Sequence, residues 1–226
     1  MSNKFEVQLT ELACVNSLHF IKLAFLVGLC SSFFSYAGPQ REEHLADSVR
    51  SALSVAVAGL PPPQPYLPTA ADKQAYEQWL NNNLQRLPLR LRQMHGGAGL
   101  PELGSPELQR LFLQTVWYES RRAALEPSLV LGLIEVESGF RKFAISRAGA
   151  MGVMQVMPFW PRMLGQGDPS VLFQWQANLR FGCVILRHYL IREDGNIHMA
   201  LGRYNGSRGQ SAYPNAVLSA QQRWQP

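Results

Sequence analysis

Apolar residues recur along most of the chain at intervals of three and four, and no run alternates apolar with polar residues for the length of a useful strand. A first helix is predicted over Arg41 to Ala58, with Leu45, Val49, Leu53 and Ala56 on one face. Pro61-Pro-Pro-Gln-Pro65 and Pro68 break the pattern, and a second helix starts near Thr69 and runs through Trp79 and Leu84. Pro88 and the glycines at 96, 97 and 99 are its predicted stop. Ser105-Pro106-Glu107 then reads as a helix start, with a capping hydroxyl, a proline in the first turn and an acid near the positive end, and this third helix should reach about Leu125. Pro127 opens a fourth helix, which Gly139 is placed to end. Further helices are predicted at about Leu172 to Ile191 and around His198 to Tyr204. The fold class that follows is all-α.

The first 37 residues read differently from the rest. Lys22 precedes the apolar block Leu23-Ala-Phe-Leu-Val-Gly-Leu29, and Ser35 and Ala37 supply small residues ahead of Gly38-Pro39. This predicts a signal peptide for export or, if the segment is retained, an anchor that associates the protein with a membrane. The apolar run is shorter than the ~20 residues a bilayer span needs. Three parts are therefore expected: 1–37 as export signal or anchor, 38–104 as a helical extension with linkers, and 105–226 as the main domain. Removing the leader would take away Cys14 and Cys30 and leave Cys183, whose place among Leu179, Leu186 and Leu190 is that of a buried small hydrophobe.

A formal net charge of +5 points to negatively charged partners, among which nucleic acid, anionic lipid and acidic cell-wall polymers all qualify. Nucleic acid is not predicted, because no finger or basic-aromatic module accompanies the charge. His44, His95, His188 and His198 show no ligand spacing, so neither a metal nor another cofactor is expected.

Candidate chemistry sits in the fourth helix, Leu129-Val-Leu-Gly-Leu-Ile-Glu-Val-Glu-Ser-Gly-Phe140. Residues two apart on a helix point about 200° apart, so Glu135 and Glu137 cannot face one cavity. Glu137 lies at the C-terminal end, where the helix dipole and an apolar wall both oppose ionisation and raise its pKa. A carboxyl that keeps its proton near neutral pH suits general acid catalysis of acetal cleavage. Glu135 is expected to be a surface or structural acid. The next segment, Ala144-Ile-Ser-Arg-Ala-Gly-Ala-Met-Gly-Val-Met-Gln-Val-Met-Pro158, combines small residues, soft apolar area and an amide, which suits a sugar's hydroxyl rim and C–H faces. Phe159, Trp160 and Tyr213 fit either sugar stacking or a core.

From about Ser105 to the C-terminus the chain resembles the soluble lytic transglycosylase (SLT) domain family, related in fold to goose-type lysozyme. The resemblance is carried by Glu137-Ser138-Gly-Phe140, Ser146-x-x-Gly-Ala-x-Gly-Val-Met-Gln-Val-Met-Pro158, Asn178-Leu-x-x-Gly182 and Arg203-Tyr-Asn-Gly206, in that order. Val153 stands where leucine is frequent, and Tyr204-Asn-Gly-Ser207 replaces the more usual run ending in alanine and glycine; both bear on the shape of a subsite wall. The resemblance implies an enzyme of the bacterial periplasm or cell envelope that acts on the glycan strands of peptidoglycan. It would cleave the bond between N-acetylmuramic acid and N-acetylglucosamine and leave 1,6-anhydro-muramic ends. Glu137 would be the sole catalytic carboxylate, and Tyr204 would hydrogen-bond it. Ser138, Ser146, Met154, Gln155, Tyr204 and Asn205 would be the substrate-binding residues. A lysozyme-type hydrolase on the same fold and a non-catalytic peptidoglycan-binding module are the alternatives.

Overall fold

The computed structural model describes residues 40, 42, 45, 47–58, 67–97, 99–165 and 167–225, all within one compact unit, Tyr36–Pro226. The expected export segment 1–37, with Cys14 and Cys30, as well as His44 and the proline cluster 61–65, lies outside the described residues. No helix among the described residues is long and apolar enough to cross a membrane.

The described residues are helical, without a strand: their extended contacts are isolated bridges, Ile145 to Met151 and Met151 to Val156. The helices among the described residues are α1 (Asp47–Val57), α2 (Ala70–Met94), α3 (Pro106–Arg122), α4 (Pro127–Ser138), α5 (Phe159–Met163), α6 (Trp175–Arg192), α7 (Ile197–Asn205) and α8 (Ala212–Gln222). Short 3-10 turns lie at Pro101–Leu103 and Pro169–Phe173.

Helix α2 corrects an expectation. Its start is a capping box in which Thr69 Oγ1 accepts from the Asp72 amide at 3.0 Å while Asp72 Oδ2 accepts from the Thr69 amide at 3.1 Å. Pro88 does not stop it, and the helix continues to Met94 before the glycines. A proline inside a helix costs about 3 kcal/mol through a lost amide and a ring clash. Leu87 and Leu91, on either side, are buried, and each contributes roughly 1.5–3 kcal/mol. Tertiary packing therefore outweighs the local break.

Helix α3 starts as the sequence predicts, Ser105 Oγ accepting from the Leu108 amide at 3.3 Å. Helix α4 is buried on all sides through Leu129, Val130, Leu131, Leu133 and Ile134, the pattern of a central helix. Its apolar run lets α3 and α8 pack against it, and Gly132 sets how closely α8 approaches, since a Cβ there would lie 2.6 Å from the Gln221 amide nitrogen. Gly139 ends it at φ +59, a left-handed conformation that glycine adopts without Cβ strain.

Helices α5 and α8 are absent from the sequence reading. The first is too short to show a period, and the second carries Pro214 in its first turn and buries Tyr213, Pro214, Val217 and Ala220 among polar neighbours. The helix expected from Leu172 divides at Gln174, whose backbone is extended, into the Pro169–Phe173 turn and α6.

Candidate active site

Glu137 stands in the last turn of α4 with 3% of its surface exposed. Its Oε1 accepts a hydrogen bond from the Tyr213 hydroxyl of α8 at 2.5 Å. Burial pushes the Glu137 carboxyl up to about 8, against the opposing pull of the Tyr213 hydrogen bond. The raised value agrees with the expectation from the helix end, and desolvation is its leading cause.

Two tyrosines stand near the acid. The hydroxyl of Tyr204, on α7, donates to the Met154 carbonyl at 2.7 Å, and Tyr213, for which the sequence predicts no such role, donates to Glu137 Oε1. Both phenols are held well above the usual tyrosine range, first by burial and then by the neighbouring Glu137. Tyr213, Phe159 and Trp160 all belong to the core, which decides between the stacking and packing alternatives.

The 144–158 segment is a loop held from beneath by α6. Asn178 donates from Nδ2 to the carbonyls of Met151 and Leu172, both at 2.9 Å, and its Oδ1 accepts from the Met154 amide at 2.7 Å. Gly152, at φ +77, leaves room for this amide, because a Cβ would meet Asn178 Nδ2 and the Leu172 carbonyl oxygen at 2.3 Å. Gly182, one turn along α6, leaves room for Met154, whose Sδ would lie 2.5 Å from an added Cβ. The spacing Asn178-Leu-x-x-Gly182 is thus a socket for the loop. The sequence singled out this motif without giving Asn178 a role.

Of the expected substrate-binding residues, Ser146 is half-buried and closes a turn by accepting from the Ala150 amide at 3.0 Å. Ser138 is buried, and its hydroxyl lies 2.8 Å from the Val153 carbonyl, joining the end of α4 to the loop. Gln155, at φ +50, donates from Nε2 to the Gly152 carbonyl at 2.9 Å. Met154, Tyr204 and Asn205 are buried as well. Ser138, the residue next to Glu137, and Tyr204 both bond carbonyls of the loop, at Val153 and Met154.

Four other acids are committed elsewhere. Glu135 is buried, its Oε1 taken by Arg90 and Arg223, each at 2.5 Å, and its Oε2 by the Trp224 indole N–H at 3.0 Å. Glu119 pairs with Arg180 at 2.8 Å. Glu193 binds Arg203 and Arg208, whose hydrogen bonds draw its carboxyl down to about 2. Asp168 caps the Pro169–Phe173 turn through the Ser170 amide. Gln40, from the extension, reaches the loop's end, its Oε1 accepting from the Trp160 indole at 2.9 Å and from the Met157 amide at 3.3 Å. Nothing in the sequence pattern signals that contact. Cys183 is buried, as expected, and burial pushes its thiol well up.

Residues 115–224 match the model of the family described as Transglycosylase SLT domain, and they contain all four motifs that carry the resemblance. Membrane-bound lytic murein transglycosylase C of Actinobacillus pleuropneumoniae serotype 5b (strain L20) is 49% identical over 85 residues, which cover 34% of this chain and 23% of that protein. The transglycosylase of Enterobacteria phage PRD1 is 33% identical over 117 residues, 45% of this chain and 42% of that protein. Among solved structures, an inactive mutant of the lytic transglycosylase Slt from Pseudomonas aeruginosa aligns with a TM-score of 0.42 and 18% identity, over 84% of this chain and 36% of that one. The chain thus spans less than half the length of these curated relatives.

Proposed function

We propose that the segment matching the SLT family is a peptidoglycan lytic transglycosylase acting through Glu137 alone. The observation that carries this reading is a buried carboxyl, raised to about 8, at the end of a central helix and within a family-matched segment. At neutral pH Glu137 is protonated and can give its proton to the glycosidic oxygen as the bond to the anomeric carbon of N-acetylmuramic acid breaks. The resulting carboxylate, still hydrogen-bonded by Tyr213, then takes the proton of the muramic C6 hydroxyl as that oxygen closes on the anomeric carbon. The acid is regenerated, an anhydro sugar forms, and no water is consumed. The commitment of Glu119, Glu135 and Glu193 to arginines supports one-carboxylate chemistry in place of the usual acid pair.

In this reading 105–226 is the catalytic domain, and Ser138, Ser146, Met154, Gln155, Tyr204 and Asn205 shape the surface on which the glycan lies. The extension 38–104 supports that domain, and 1–37 directs the chain to the cell envelope or anchors it there. The names of the murein transglycosylase relatives support a wall substrate. The deciding experiment is mass spectrometry of sugars released from purified peptidoglycan by residues 38–226 and by Glu137→Gln. Anhydro-muramic ends made only by the unsubstituted protein support the reading. Reducing ends would assign a lysozyme, and no release by either protein would leave a binding module.

A further inference from the structure

The last turn of α4 cannot hold Glu137 by itself. The last carbonyls of a helix lack the amide donors of its interior, and here the chain leaves the helix at Gly139, two residues beyond the acid. Support must come from neighbours. Tyr213 arrives from α8, and Ser138 ties the turn to Val153 in the loop. The rest comes from outside the family-matched segment. Arg90 of α2 binds Glu135, two residues before Glu137, at 2.5 Å. His95, at the end of α2, stands with Nε2 2.8 Å from the Gly139 carbonyl, two residues after it. A carbonyl only accepts, so Nε2 carries the proton and donates. Arg86, one turn before Arg90, binds the carbonyl of Gln225, beside the Trp224 that also holds Glu135. Met94 closes the contact, its Cε 3.3 Å from the place a Gly139 Cβ would take.

We propose that α2 is a clamp for the acid, with Arg90 and His95 as positioning residues that grip α4 on both sides of Glu137. This inference rests on the reading of Glu137 as the proton donor, and it assigns a use to an extension that the family match leaves out. The clamp works by geometry. Holding residues 135 and 139 fixes the carboxyl against Tyr213 and keeps water from the end of the helix. Misplacement by about 1 Å at such a site costs up to about a hundredfold in rate. The titratable and charged groups facing Glu137 are Tyr213 from α8 and Tyr204 from α7, with Cys183 of α6 beyond Tyr204. Arg90, His95 and Arg223 stand beyond positions 135 and 139.

The test compares the unsubstituted 38–226 protein with Arg90→Met/His95→Ala and with His95→Gln, which retains a donor. Two readouts are used: kcat and KM for release from solubilised glycan strands, and titration of the Glu137 carboxyl by carbon NMR in the ligand-free protein. The clamp predicts a kcat lowered about tenfold to a hundredfold in the double variant, with KM within about twofold and His95→Gln close to the unsubstituted protein. It also predicts a lower Glu137 midpoint, because a loosened turn admits water. An unchanged midpoint and an unchanged kcat per folded molecule, with only a lower Tm, would overturn it. Should the unsubstituted protein release nothing, the proposed activity fails on that result, and the NMR midpoint alone decides the clamp.

Discussion

Tyr213 Oη lies 2.5 Å from Glu137 Oε1, so a phenol from the last helix steadies the acid at the end of the central one. A hydroxyl that donates to a carboxylate favours its ionised form. Replacing Tyr213 with phenylalanine removes that support while keeping the ring. The expected result is a Glu137 pKa above its value of about 8, so the alkaline limb of the kcat/KM profile moves to higher pH. The rate near neutrality should fall roughly tenfold to a hundredfold, in line with about 1.5–3 kcal/mol for a hydrogen bond to a charged group. A pH–rate profile of the variant reads both effects, and a limb that stays in place contradicts the coupling.

The raised Glu137 pKa also sets a slope of stability against pH. The ordinary value is 4.5 and the folded value about 8, so between them the folded chain holds a proton that the unfolded chain has released. Stability is therefore fullest below 4.5 and declines as pH rises towards 8, by about 3–5 kcal/mol in all. Glu137→Gln has no such proton to lose and still accepts from Tyr213. It should be inactive and yet more stable than the unsubstituted protein at pH 8, with the difference closing near 4.5. Thermal melts across that range check the sign.

Much of this was legible in the sequence, for identifiable reasons. Ser105-Pro106 and Pro127 start helices and Gly139 ends one because capping chemistry is local. The 200° separation of Glu135 and Glu137 needs only helix geometry, and the two side chains do have different surroundings, Arg90 for one and Tyr213 for the other. What stayed hidden depends on long-range packing. Pro88 lies inside a helix because Leu87 and Leu91 are buried beside it, and Tyr213 reaches Glu137 because α8 folds back 76 residues later. Asn178 could have been read as the loop's anchor from its spacing to Gly182, whereas the reach of Gln40 to Trp160 leaves no mark in either segment.

Glu135 makes the opposite prediction to Glu137. Its oxygens join Arg90, Arg223 and Trp224, so one buried carboxylate ties α2 and the C-terminal residues to α4. Glu135→Ala leaves the guanidinium groups and the indole without their acceptor, and because water still reaches Arg90 and Arg223 the loss should be about 1–3 kcal/mol. Chemical denaturation should show this loss at neutral pH, where Glu137→Gln shows none.

The net charge of +5 predicts a salt-dependent approach to the wall. Peptide stems on the glycan carry carboxylates, and screening shortens their attraction to a basic protein to about 8 Å at physiological salt. Binding of Glu137→Gln to purified sacculi should therefore weaken about threefold or more between roughly 50 and 300 mM salt. Binding indifferent to salt would mean that the charge serves some other end.

Two glycines of the loop separate conformational strain from steric exclusion. Gly149 and Gly152 both have positive φ, +86 and +77, but a Cβ at Gly149 meets nothing within 4 Å while one at Gly152 meets Asn178 Nδ2 and the Leu172 carbonyl at 2.3 Å. Gly149→Ala should therefore cost only the left-handed backbone penalty, about 1–2 kcal/mol. Gly152→Ala must in addition displace the Asn178 side chain, which loses its bonds to Met151, Leu172 and Met154 together. At about 1 kcal/mol for each hydrogen bond, the total loss should exceed 3 kcal/mol. Because the Met154 carbonyl is the acceptor for Tyr204, the same substitution should disturb the site as well as the fold. Denaturation midpoints of the two variants measured side by side test this, and equal losses would show that Asn178 is not held by the space Gly152 leaves.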